Sequence, residues 1–193
     1  MRRVLVFCGS SPGRLPAYTE AAAALGRELA RQELGLVYGG AAVGTMGVLA
    51  DAALGGGAEV IGVIPRTLVE KEVAHNGLSD LRVVETMHER KAQMESLADG
   101  VIALPGGFGT LDELFEILTW AQLGLHNKPV GLLDVEGYWE QLLAFIDHMV
   151  VERFLHSAQR DALLVARQPG ELLAQMTDYQ PPVLEKWLDR EQS

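Results

Sequence analysis

The chain has 193 residues, 48% of them hydrophobic, enough for one domain with a substantial core. Its 26 Asp and Glu outweigh 16 Lys and Arg for a formal net charge of -10, which argues against nucleic acid or an anionic membrane as partner. Cys8 is the only cysteine, so neither an intrachain disulfide nor a cysteine-based metal cluster is available, and a reducing cytoplasm is the expected setting.

The first apolar run, residues 4–8, is too short for a signal peptide and no later run reaches membrane-spanning length, so a soluble protein is expected. That run reads as the first strand, followed by strands over 36–38, 60–64, 82–84, 100–104 and 130–133 and a candidate seventh over 163–165. Helical spacing fills the gaps at 16–32, 44–54, 89–98, 111–123 and 138–151, with shorter pieces at 170–176 and 182–191. The alternation predicts an α/β fold, a doubly wound parallel sheet of six to seven strands with helices on both faces, in one domain spanning 1–193. The triple glycine at 55–57 reads as a helix stop and tight return rather than a linker. The longest loop runs from 65 to 80 and carries Glu70, Lys71, Glu72, His75 and Asn76.

In open α/β sheets ligands bind beyond the carboxyl ends of the strands, so the strand exits are where chemistry is expected. The exits read CGSSPG, YGGAAVGTMG, MHERK and PGGFGT. Three are rich in glycine or small hydroxyl residues, which suits either tight packing turns or backbone N–H groups aimed at an anion. The P-loop and the complete dinucleotide fingerprint are both missing. The five histidines show no metalloprotease spacing, and no metal is expected. GSSPG at 9–13 matches the nucleophile elbow of hydrolases, but Pro12 and Pro16 delay the helix that an elbow needs at its serine, so Ser11 reads as a polar turn residue.

Thr110-Leu111-Asp112-Glu113 fits a capping box, which would occupy Glu113 with the backbone of Thr110; the same spacing also allows Glu113 to act as a reagent. Arg90 and Lys91 sit near a helix start, where the helix dipole disfavours cations. Either a bound phosphate and a nearby carboxylate compensate them, or Glu85, Glu89 and Glu95 pair with them on a solvated face.

MHERKAQM at 87–94 and PGGFGTLDE at 105–113 together resemble the paired signature of the Lonely Guy family, cytokinin riboside 5'-monophosphate phosphoribohydrolases once misnamed lysine decarboxylases. CGSS at 8–11, YGG at 38–40 with GTMG at 44–47, GVIPRTL at 62–68 and the stretch from LTWAQLG to EGYW at 118–139 resemble it too. The resemblance implies a Rossmann-like homodimer with its site near the subunit contact, no cofactor, and a nucleoside 5'-monophosphate as small-molecule substrate. It implies hydrolysis of the N-glycosidic bond of an N6-modified adenosine 5'-monophosphate to free base and ribose 5-phosphate. Arg90 and Glu113 would be the catalytic pair, with Glu72, Lys91, Gly107, Phe108, Gly109, Thr110, Leu111, Asp112 and Thr119 as substrate contacts. The chain departs from the family pattern at Ala41, where a third glycine is usual, and at Thr45, where leucine is. Two other readings stand beside this one. A non-catalytic nucleotide or molybdenum-cofactor carrier could use the same fold, and a decarboxylase would need a lysine for pyridoxal phosphate in an apolar site.

Overall fold

A computed structural model describes residues 1–69 and 74–182. The elements run β1 Arg3–Phe7, α1 Pro16–Arg31, β2 Gly35–Tyr38, α2 Gly44–Gly55, β3 Val60–Pro65, α3 Arg66–Val69, β4 Asp80–Val84 and α4 Met87–Leu97. They continue with β5 Gly100–Ala103, α5 Phe108–Gln122, β6 Val130–Leu133, α6 Glu140–Val151, α7 Ser157–Asp161, β7 Leu163–Ala166 and α8 Pro169–Thr177. All seven strands pair in parallel in the order β4-β3-β2-β1-β5-β6-β7.

Parallel strands covered on both faces need apolar residues at every position, and β1, with buried Val4 through Phe7, has them. Its side chains alternate between two cores. Val4, Val6 and Cys8 join the cluster under α1, α2 and α8, while Leu5 and Phe7 join the one holding Met94, Leu114 and Ile146 of α4, α5 and α6. The chain reverses its direction of travel across the sheet between β1 and β5. Their carboxyl ends therefore open onto a crevice that no crossover connection fills.

Several boundaries differ from the sequence expectation. The triple glycine does stop α2, with Gly57 at φ +86°. The helix expected from 111 starts instead at Phe108 with Gly107 as its N-cap, because Gly109 is wound into the first helical turn. α4 begins at Met87, two residues earlier than expected. α6 begins at Glu140, since Tyr138 and Trp139 belong to the β6–α6 turn. The short helices α3 and α7 were not expected, being too brief to show a period. All but Pro182 of the helix expected over 182–191 lies outside the described residues.

Candidate active site

Arg90, in the second turn of α4, is buried although it is a cation. It is held by backbone rather than by solvent: its Nε donates to the Val63 carbonyl at 3.1 Å and its Nη2 to the Gly39 carbonyl at 3.3 Å. A Cβ on Gly39 would lie 2.1 Å from that Nη2, so the glycine after β2 is the space in which the guanidinium rests. Part of the YGG exit is thus an arginine seat rather than an anion cradle.

The free edge of the guanidinium faces Glu113 on α5, with Nη1 to Oε1 at 3.7 Å and both side chains nearly inaccessible. Burial pushes the Glu113 carboxyl up to about 7; Arg90 and Lys91 oppose that rise, and Asp112 and Glu116 add to it. Near neutral pH this group exchanges a proton readily, which suits acid or base work. The expected capping box at Thr110 is not formed. With Gly107 as N-cap, Thr110 is the third helical residue, and its buried side chain fits beneath Gly106, where a Cβ would lie 2.1 Å from the Thr110 Oγ1. Glu113 is the sixth helical residue, three positions beyond the capping-box site, and is turned towards Arg90. The box forms on α4, where Glu89 N–H donates to Thr86 Oγ1 and the Glu89 carboxylate accepts from Thr86 N–H.

Lys91 bridges the two helices through Asp112 at 3.2 Å and Glu116 at 3.0 Å. Burial alone would lower its ammonium, but the bonds to Glu116 and Asp112 outweigh that and raise it. Glu116 was not singled out from the sequence, though its place four residues after Asp112 puts both on one helix face. Leu111 packs against the core of Leu114 and Ile117. Phe108 is 93% exposed at the rim, and a Cβ on Gly107 or Gly109 would meet open space. Neither packing nor a positive φ explains those two glycines, and the amides of a helix's first turn have no partner within the helix. The start of α5 is an unobstructed backbone surface suited to an anion. Thr119 lies almost two turns beyond Glu113 along α5, donates to the Phe115 carbonyl at 2.7 Å, and lines an apolar groove against α6 rather than the Arg90–Glu113 crevice. Glu72 lies outside the described residues.

Beside the helix start is a cavity of about 210 Å³ lined by Ser10, Ser11, Thr45, Gly106, Gly107 and Tyr138 among others. Ser11 Oγ accepts from the Gly13 N–H, as a turn residue does, and α1 begins five residues later, so no elbow is formed. Thr45 Oγ1 donates to the Gly9 carbonyl at 2.9 Å and ties the first two exits together. Ala41 is fully buried and bridges to Ala74, so its methyl group enters the core and leaves the crevice clear. Burial lifts the Cys8 thiol to about 12, which makes it inert at neutral pH. Among the described residues no group of three or more His, Cys, Asp or Glu is arranged to hold a metal. None of the helices there is long and apolar enough to cross a membrane.

The sequence profile of the family described as "Possible lysine decarboxylase" matches residues 46–176. The cytokinin riboside 5'-monophosphate phosphoribohydrolase LOG7 of Arabidopsis thaliana is 49% identical over 180 residues, spanning 93% of this chain and 83% of that one. The chain belongs to the Lonely Guy family. A second Lonely Guy protein, the phosphoribohydrolase LOG of Oryza sativa subsp. japonica, is 48% identical over 180 residues, 93% of this chain and 74% of its own. Among solved structures, the molybdenum cofactor carrier protein of Chlamydomonas reinhardtii superposes with a TM-score of 0.68 at 20% identity, covering 92% of this chain and 96% of that one. The molybdenum cofactor binding protein of Rippkaea orientalis does so with the same score and identity over 92% and 97%. These two share the Rossmann-like fold of this Lonely Guy chain, and at that identity the likeness stops at the fold. The decarboxylase description finds no support in the lysines: Lys91 and Lys128 are engaged by carboxylates, and Lys71 and Lys186 lie outside the described residues.

Proposed function

We propose that this chain hydrolyses the N-glycosidic bond of adenosine 5'-monophosphates, N6-modified or plain, to the free base and ribose 5-phosphate. The observation that carries the reading is the buried Arg90–Glu113 pair beside a helix start whose glycines leave space for a phosphate. The 48–49% identity to named phosphoribohydrolases supports it, whereas the likeness to cofactor carriers extends to the fold only.

Cleavage of the bond between C1' and the purine nitrogen leaves positive charge on the ribose and negative charge on the base; water supplies hydroxide to C1' and a proton to the base. In its ionised form Glu113 can stabilise the oxocarbenium-like ribose or take the proton of the attacking water. Arg90, fixed by two carbonyls, holds that carboxylate and offers charge to the departing base. The first-turn amides of α5, with Gly107, Phe108, Gly109 and Thr110, take the 5'-phosphate. Lys91 and Asp112 act through the α4–α5 bridge, which fixes the spacing of the pair, and Leu111 anchors the turn. Glu72 is proposed as a further contact on the strength of the family resemblance alone.

The protein is further proposed to work as a homodimer in the cytoplasm. Exposed Leu123, Leu125, Phe145, Val151 and Phe154 on and after α5 and α6 support an apolar face of the kind a second copy covers. Thr119 lines the groove on that side and would meet a substrate only across such a contact. The activity is tested by incubating the protein with AMP and N6-isopentenyl-AMP and separating the products. Wild type should release base, and Glu113→Gln should be at least about 100-fold slower. Equal slow release by both proteins would sink the reading.

A further inference from the structure

Tyr138 stands in the β6–α6 turn, yet its hydroxyl donates a short hydrogen bond to the carbonyl of Gly106, thirty-two residues earlier, at the exit of β5. The ring makes edge contacts with Tyr18 at 5.8 Å and with Trp139 at 5.0 Å between centroids. Trp139 is itself pinned, its backbone N–H donating to Asp134 Oδ1 and its indole N–H to the Leu133 carbonyl. A rigid aromatic arm thus reaches from one strand exit across to another and walls the cavity beside the start of α5.

The bond has a consequence set by peptide geometry. In a trans peptide the C=O and N–H point in opposite directions, so holding the Gly106 carbonyl fixes the direction of the Gly107 N–H. Gly107 is the N-cap, and its amide is among those without a partner in the helix. Gly107 has nothing within 4 Å of where a Cβ would stand, so side-chain packing restrains that peptide only at Gly106, which lies against Thr110, and the Tyr138 bond adds the restraint on the carbonyl itself. The geometry points to Tyr138 as a positioning residue that orients the first amide of the α5 start towards the 5'-phosphate. This inference rests on the proposed phosphate site at that helix start, and it gives Tyr138 a part in recognising the phosphate rather than the base.

Tyr138→Phe removes the hydroxyl and keeps the braced ring. Equilibrium binding of AMP and of adenosine is measured calorimetrically with Tyr138 present and substituted, both in the Glu113→Gln protein so that AMP is not consumed during the titration, alongside the thermal midpoint. The expected result is an AMP affinity about five-fold weaker, because the released Gly107 amide no longer points at the phosphate, with adenosine affinity unchanged and the thermal midpoint lowered by no more than one intramolecular hydrogen bond, a few degrees at most. Equal weakening of both ligands, a midpoint lowered by much more than one hydrogen bond accounts for, or no change in AMP binding would each overturn the inference. So would a Glu113→Gln protein with Tyr138 intact that binds AMP no more tightly than adenosine. Tyr138→Leu, which also removes the ring, should show the same selective loss for AMP; parity between the two ligands there counts against the role. Because binding needs no turnover, absence of base release from wild type would defeat the proposed reaction while the Tyr138 test still returns an answer.

Discussion

Glu113 carries two consequences in one side chain. Its carboxyl is raised from the ordinary range to about 7, chiefly by burial, so protonation is favoured in the folded protein. If the ionised form does the work on the ribose, base release should climb as pH rises through about 7 and level off above it. A rate that falls over the same interval would assign Glu113 the acid role instead. Stability runs the other way. A carboxyl whose folded value lies above its unfolded one leaves the fold unburdened below about pH 4.5 and destabilises it increasingly as pH rises through about 7. At pH 8 the burden is on the order of 3 kcal/mol. Glu113→Gln lacks it, so the variant and wild type should unfold at similar denaturant concentrations at pH 4.5, and the variant should be the more resistant at pH 8. A difference that stays constant across that range would show that Glu113 does not titrate as described. Activity is here set against stability at one buried carboxylate.

Two helix starts carry the same sequence pattern, Thr-x-x-Glu at 86–89 and at 110–113, and only the first forms a capping box. The pattern could not separate them because what decides is the position of the first helical residue. At α5 the run of glycines looks like a turn in sequence, yet its last member, Gly109, is wound into the helix, whose start at Phe108 moves Thr110 past the cap. Strands were legible because buried parallel strands are nearly continuous apolar runs, and the long helices because their period repeats; α3 and α7 offer neither signal. The seat of Arg90 was out of reach for another reason. It consists of backbone carbonyls at Gly39 and Val63, and a carbonyl has no letter in a sequence. The cap on α4 makes its own prediction. Thr86→Ala should cost about 1 kcal/mol, read as a lower urea midpoint with an unchanged slope. No shift in that midpoint would mean that the exposed turn already satisfies its amides with water.

The sheet order brings together what the chain keeps apart. Reversal between β1 and β5 sets the α4 and α5 starts side by side, and so Arg90 meets Glu113. The pair could be named beforehand only through the resemblance of two motifs to a family, since spacing alone left Glu113 as cap or reagent. The same arrangement turns the far side of α5 and α6 outward, with Val151 75% and Phe154 81% exposed. Exposed apolar side chains in this number are unfavourable for a lone domain in water and are covered when two copies meet. Light scattering after gel filtration should therefore give wild type twice the 20.9 kDa chain mass. Replacing both Val151 and Phe154 with aspartate should return the protein to the mass of one chain, because a symmetric contact confronts each added charge with its own copy. If wild type already runs at the single-chain mass at micromolar concentration, the apolar face has some other use, and Thr119 is left without a substrate to touch.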